Sequence, residues 1–284
     1  MPARTITPET ITPLSDARPA PVPAVQSFPG STAGEWAGLA CSGLDQDGAF
    51  SPNLGLFLVR WGDRLVLCDA GIGPGPNAYL GGLEGRLPQA LAEVGVAPEA
   101  IDLVIYTHLH MDHLGWATRA DASGARVPAF SNARHVVARG ELAYWSSNPA
   151  DARPHHREAF DQMFRPLIGL GRVTAVAHGE PILPGVALIS TPGHTPDHAA
   201  IRFDGAGETL VVAGDICHAP GQVERPDWAH RADMDPDTAR ATRRRFIAEA
   251  AAQNWRLAFG HFRDGLQLGR IATSDTGFIY RPAS

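Results

Sequence analysis

Four potential metal ligands stand within six residues in Thr107-His108-Leu109-His110-Met111-Asp112-His113. The segment directly follows the apolar run IDLVIYTH (101–108), which reads as a strand buried on both faces. At a strand end, His108 and His110 are two residues apart and point to the same side. Asp112 and His113 follow on the turn and reach a second point a few ångströms away. One short loop of this kind can serve two metal ions, because imidazole binds Zn, Fe, Co, Ni and Cu while carboxylate adds a charge-balancing ligand. The competing reading is a polar loop with solvated histidines, which four such residues at this spacing disfavour. His194 in TPGHT, Asp215 at the end of TLVVAGD and His261 at the end of RLAFGH each close a hydrophobic strand, where neighbouring strands converge on one sheet edge.

The elements that must hold these residues are strands and helices mixed throughout, without strict βαβ alternation. LGLFLVRWGDRLVLCDAG reads as two strands joined at Trp61-Gly62-Asp63. HVVAR, VTAVA, VALISTPG, AAIRFDG and TLVVAGD read as further strands, with RLAFGH as the last core strand. Leu83, Leu87, Leu91 and Val94 mark an amphipathic helix ended near Gly95. Asp235-Pro236 is a capped start for a helix running to about Asn254, with Arg240, Arg243, Arg244 and Arg245 on its solvated face. Phe160, Met163, Phe164, Leu167 and Ile168 form a helical stripe that is either core or a pocket wall. Residues 1–35 hold seven prolines and read as an extended arm, disordered or draped over a partner subunit, ahead of a single domain over 36–284.

Composition narrows the function. The chain has 284 residues and a formal net charge of −6, which argues against a nucleic-acid scaffold or a polybasic membrane binder. There is no apolar run long enough to span a bilayer and no secretory leader pattern. Three cysteines (Cys41, Cys68 and Cys217) without CxxC spacing argue against disulfides and Cys-based zinc sites; Cys68 and Cys217, in apolar strand-like runs, read as buried thiols, and a reduced cytoplasm is expected. Twelve histidines are the conspicuous excess.

THLHMDH, TPGHT, AGDICH and FGH together resemble the metallo-β-lactamase-fold hydrolase superfamily, and within it the lactonase and methyl-parathion-hydrolase-like branch. The resemblance spans about Asn53 to His261. It implies an α+β fold, a four-layer αββα sandwich with a dinuclear site at one edge. It implies two divalent metal ions per chain, zinc first, with Mn, Fe or Co also accommodated. His108, His110 and His194 would bind the first ion, Asp112, His113 and His261 the second, and Asp215 would bridge both. Asp69 would orient a ligand histidine, and His198 would be supporting.

Two cations so held can share a bridging water whose pKa falls toward neutrality, so no protein nucleophile is required. Asp112 and Asp215 are the candidate proton-handling carboxylates. His218 stands three residues after Asp215, where relatives that open acyl-homoserine lactones often carry tyrosine; it is a candidate donor or proton shuttle. The expected reaction is lactone opening or carboxylic ester cleavage, with promiscuous phosphotriester hydrolysis, on a small apolar substrate. Trp116, Phe130, Tyr144, Trp145, Phe160 and Phe164 (with Phe50, Trp36 and the apolar Met163) suit an aromatic-lined pocket, Trp116 foremost. The resemblance further implies a homodimer. The alternatives are an iron-dependent persulfide dioxygenase and a non-catalytic metal-binding protein on the same fold.

Overall fold

The computed structural model describes residues 5, 7 and 10–283. Two six-stranded sheets stack face to face. The first contains, in spatial order, β1 (Ile11–Ala17), β2 (Leu54–Trp61), β3 (Arg64–Cys68), β4 (Leu103–Ile105), β5 (Arg134–Ala138) and β6 (Val173–Val176). The second contains β7 (Val186–Ser190), β8 (Ala199–Asp204), β9 (Thr209–Val212), β10 (Arg256–Ala258), β11 (Leu268–Ser274) and β12 (Gly277–Pro282). β1, β2 and β3 pair antiparallel, and β3 to β6 run parallel. In the second sheet only β9 and β10 are parallel.

Side-chain alternation explains the layering. On β2, Phe57, Val59 and Trp61 face the other sheet and meet Leu188, Ile201, Phe203 and Val212. Leu56 and Leu58 point the opposite way, into a second core with α1 (Leu87–Glu93) and with Phe160, Phe164 and Leu167. Ala200, Val211 and Leu257 pack outward against Phe246, Ile247 and Ala250 of α2 (Pro236–Ala252). The central strands are therefore apolar on both faces, which is why they read as continuous hydrophobic runs. The result is the four-layer αββα sandwich that the resemblance implied. Among the described residues no helix is long and apolar enough to cross a membrane.

Several elements differ from expectation. Residues 11–17 are not an arm: Ile11 and Leu14 are buried, and β1 pairs along β2. Pro13 and the irregular register between Ser15 and Ala17 broke the alternation that would have marked the strand. Asp16 anchors it, accepting the backbone N–H groups of Ile72 and Leu87 and the indole N–H of Trp116. Short helices at Ala24–Ser27 and Ala33–Ala37 follow, the second closed by a Thr32–Glu35 capping box. Two strands, β11 and β12, follow β10, so RLAFGH does not end the sheet. Leu83 lies outside α1, bridged to Asn77. Asp235 does cap α2, accepting from Thr238 N–H. Arg243 is not on a solvated face but buried, its guanidinium donating to the carbonyls of Ile216, Pro226 and Trp228.

Candidate metal centre

The strand ends of both sheets deliver the site. His108 and His110 follow β4, and Asp112 and His113 lie on the short helix Met111–Leu114. His194 follows β7, Asp215 follows β9 and His261 follows β10. Asp215 is the hub. Its Oδ2 lies 3.0 Å from His261 Nε2, 3.1 Å from His194 Nε2, 3.3 Å from His218 Nε2 and 3.8 Å from His108 Nε2. Its Oδ1 lies 3.3 Å from His113 Nε2. His110 turns Nδ1 inward, 2.9 Å from His194 Nε2. Asp112 Oδ2 is 3.7 Å from His261 Nε2 and 3.9 Å from His113 Nε2.

The outer nitrogens of these rings are tethered, which aims the inner ones. His113 Nδ1 donates to Asp69 at 2.9 Å, His194 Nδ1 to Asp233 at 3.0 Å, and His261 Nδ1 to the Asn53 carbonyl at 2.8 Å. His108 Nδ1 meets the Thr107 hydroxyl at 3.0 Å, and that hydroxyl donates to Asp69. Asp69 holds φ of +68°, a conformation aspartate tolerates better than most residues. His198 accepts the Asp215 backbone N–H on Nε2 and donates Nδ1 to the Thr191 carbonyl, so it braces the hub without facing the cluster. Gly214 sits at φ +56°, and a Cβ there would lie 2.6 Å from His198 Nε2.

The donor set fits divalent ions. Three groups of ligand atoms, each within 4.8 Å of one another, are His108–His110–His194, His108–His113–Asp215 and Asp112–His113–His261; His194–Asp215–His218 is a fourth. His108 Nε2, His113 Nε2 and Asp215 Oδ1 are buried without a hydrogen-bond partner among the described residues, as ligand atoms awaiting a cation would be. Burial opposes charge on His194, but the carboxylates of Asp215 and Asp233 hold its pKa up at about 9. Burial likewise opposes ionisation of Asp215, and the surrounding imidazoles, His261 and His113 first, keep it well below the ordinary carboxylate range. The centre is thus built around buried negative charge that demands a positive partner.

A cavity of about 310 Å³ opens over the cluster. His110, Asp112, His194, Asp215, His218 and His261 form its floor, and Val22, Phe50, Pro52, Leu54 and Leu80 supply an apolar wall. The wall comes from the stretch read as an arm and its sequel. Among the aromatics expected to line the pocket, only Phe50 does so. Trp116 faces Asp16 and the outer core, and Phe130, Phe160 and Phe164 are core residues. Trp145 is buried, donating to Glu141, and Trp36 packs on Trp228 behind the wall. Sequence reasoning left three histidines without a role that the fold brings to this cavity: His155, His156 and His230. It also missed Asp233, which Arg243 clasps at 3.2 Å. No spacing signal ties Asp233 to His194, because the contact spans separate loops.

The family model of the metallo-beta-lactamase superfamily matches residues 56–261. This chain belongs to the metallo-beta-lactamase superfamily. Within the superfamily it is similar to the N-acyl homoserine lactonase AiiA of Bacillus thuringiensis subsp. kurstaki, 27% identical over 181 residues, or 63% of this chain. That match spans 62% of the lactonase's own length. Two solved structures share the fold. The hydrolase AbOPH superposes with a TM-score of 0.81 at 24% identity over 100% of this chain and 98% of its own. AidC, a dizinc quorum-quenching lactonase in complex with a product, N-hexanoyl-L-homoserine, gives 0.79 at 21% identity over 96% and 94%.

Proposed function

We propose that this superfamily member is a hydrolase dependent on two divalent metal ions that opens lactones or cleaves carboxylic esters. The observation that carries the reading is Asp215, one buried carboxylate shared by two sets of imidazoles at the floor of a half-apolar cavity. His108, His110 and His194 would hold one ion, Asp112, His113 and His261 the other, with Asp215 between. Bound there, divalent ions would acidify water and polarise a carbonyl or phosphoryl oxygen.

The chain's own groups do the rest. The apolar wall of Phe50, Leu54 and Leu80 seats the acyl or alkyl part and excludes water from the floor. Asp215 and Asp112 supply carboxylate oxygens able to take up a proton beside the reacting carbon. Burial depresses the His218 pKa to about 4, so the ring is neutral at pH 7, with Nε2 3.3 Å from Asp215 Oδ2. Its place between the rings of His230 (3.6 Å) and His261 (5.0 Å) fixes its orientation. In this reading His218 donates a hydrogen bond to the carbonyl or leaving oxygen. Phosphotriesters also present an acceptor oxygen on an electrophilic centre and fit as secondary substrates.

The test is a panel of acyl-homoserine lactones, aliphatic lactones, aryl esters and methyl paraoxon on metal-reconstituted protein. Turnover of lactones or esters, lost on chelation, is expected. One iron per chain with oxygen uptake, or metal binding without turnover, would replace this reading with a dioxygenase or a non-catalytic metal protein.

A further inference from the structure

His156 stands on helix Pro154–Ala159 beside the cluster, and nothing in the chemistry above uses it. Its ring stacks on that of His110, with centroids 3.8 Å apart and planes 14° off parallel. The side chain is 7% exposed and lines both the cavity and a smaller one shared with Trp145, Asp151 and Asp233. Its Nδ1 accepts the backbone N–H of Met111 at 3.2 Å. A ring nitrogen that accepts cannot carry a proton, so the imidazole's proton is on Nε2. Among the described residues nothing takes that Nε2–H. The adjacent His155 is differently employed, stacked at 3.6 Å on the exposed Tyr79. The Met111 contact sets the tautomer and the His110 stack holds the ring, so His156 is a neutral donor next to the ligand-bearing turn.

We propose that His156 Nε2–H contacts substrate and selects lactones or esters that carry a neutral hydrogen-bond acceptor, such as an acylamino carbonyl, next to the scissile group. This rests on the hydrolase reading above. A substrate with that acceptor satisfies the donor. One without it displaces water from the donor and returns nothing, which is how a buried polar group discriminates between otherwise similar molecules. The ring itself, being neutral, makes the choice by hydrogen bonding and not by charge.

The test compares two lactones of equal length on the metal-loaded protein, one bearing a hexanoylamino group and one an alkyl chain. His156→Phe keeps a ring against His110 and removes both nitrogens; His156→Gln restores a donor. For His156→Phe, kcat/KM for the acylamino lactone should fall about tenfold, mainly through KM, with less than about a twofold change for the alkyl lactone. His156→Gln should recover part of the loss. Metal content should match wild type in both variants. Long-range nitrogen–proton NMR of the wild type should show a bare Nδ1 and a protonated Nε2. Equal losses on both substrates, loss of metal from the variants, or a protonated Nδ1 would each overturn the proposal while leaving wild-type hydrolysis intact. Absence of wild-type turnover on every lactone and ester would overturn the hydrolase reading and this proposal with it.

Discussion

His218 and Asp233 show what single side chains add to a ligand cluster. Replacing His218 by Ala removes the ring held between His230 and His261. Turnover is expected to fall by about 10²-fold or more, with two ions per chain retained in elemental analysis. Unchanged turnover with unchanged metal would dispose of its catalytic role. Asp233 receives His194 Nδ1–H and is itself held by Arg243. Asp233→Asn should weaken binding of the ion at His108, His110 and His194 by about 10–100-fold, read by chelator competition, and spare the other ion. The histidine–aspartate cluster was legible in sequence because metal chemistry restricts residue types and a strand end restricts spacing. Asp233, His156 and His230 were not legible. Their partners lie on distant loops, and a carboxylate or imidazole in a loop carries no local mark of what it will touch.

At the scale of elements, strand ends were readable and the cavity wall was not. The central strands are long apolar runs because both faces are buried, whereas β1 contains Pro13 and a register shift that disguise it. β11 alternates buried with partly exposed residues and β12 buries only Tyr280, weaker signals than the runs before them. The turn after β9 offers a sharp check. Gly214→Ala places a methyl 2.6 Å from His198 Nε2 and 2.9 Å from Thr107 Cβ at a positive φ. It should cost about 1–3 kcal/mol in denaturant unfolding and lower metal affinity, since His198 holds the Asp215 backbone. Asp16 ties β1 to the loop at Ile72, to α1 and to Trp116. Asp16→Ala leaves three buried or half-buried donors unpaired and should destabilise by about 2–4 kcal/mol in the same assay. Deleting residues 1–30 should unfold the first sheet's edge rather than merely loosen an association, because the deletion removes β1.

Across the whole molecule, stability should follow pH and metal in predictable directions. His135 is buried with Nδ1 2.9 Å from the Tyr106 hydroxyl, and burial depresses its pKa to about 3. In the unfolded chain it titrates near the ordinary 6.5, so below that pH the unfolded state binds a proton the native state refuses. Stability therefore rises with pH, and this one group costs about 2 kcal/mol on going from pH 8 to pH 5. His135→Gln should flatten that part of the pH profile, measured by urea unfolding at both values; an unchanged slope would contradict the assignment. Ions bound only by the native state add about 3–4 kcal/mol at concentrations 100–1000 times Kd, so chelation should lower the Tm markedly. The −6 net charge, read first as excluding polyanionic partners, coexists with a centre whose own buried carboxylates call for cations.

The most direct test of the central claim is the rate of lactone and ester hydrolysis by protein reconstituted with two equivalents of zinc per chain, beside the chelated protein and Asp215→Asn. Turnover is expected in the reconstituted protein and its loss in the other two. Equal rates in all three, or none on any lactone or ester in the fully loaded protein, would contradict that claim.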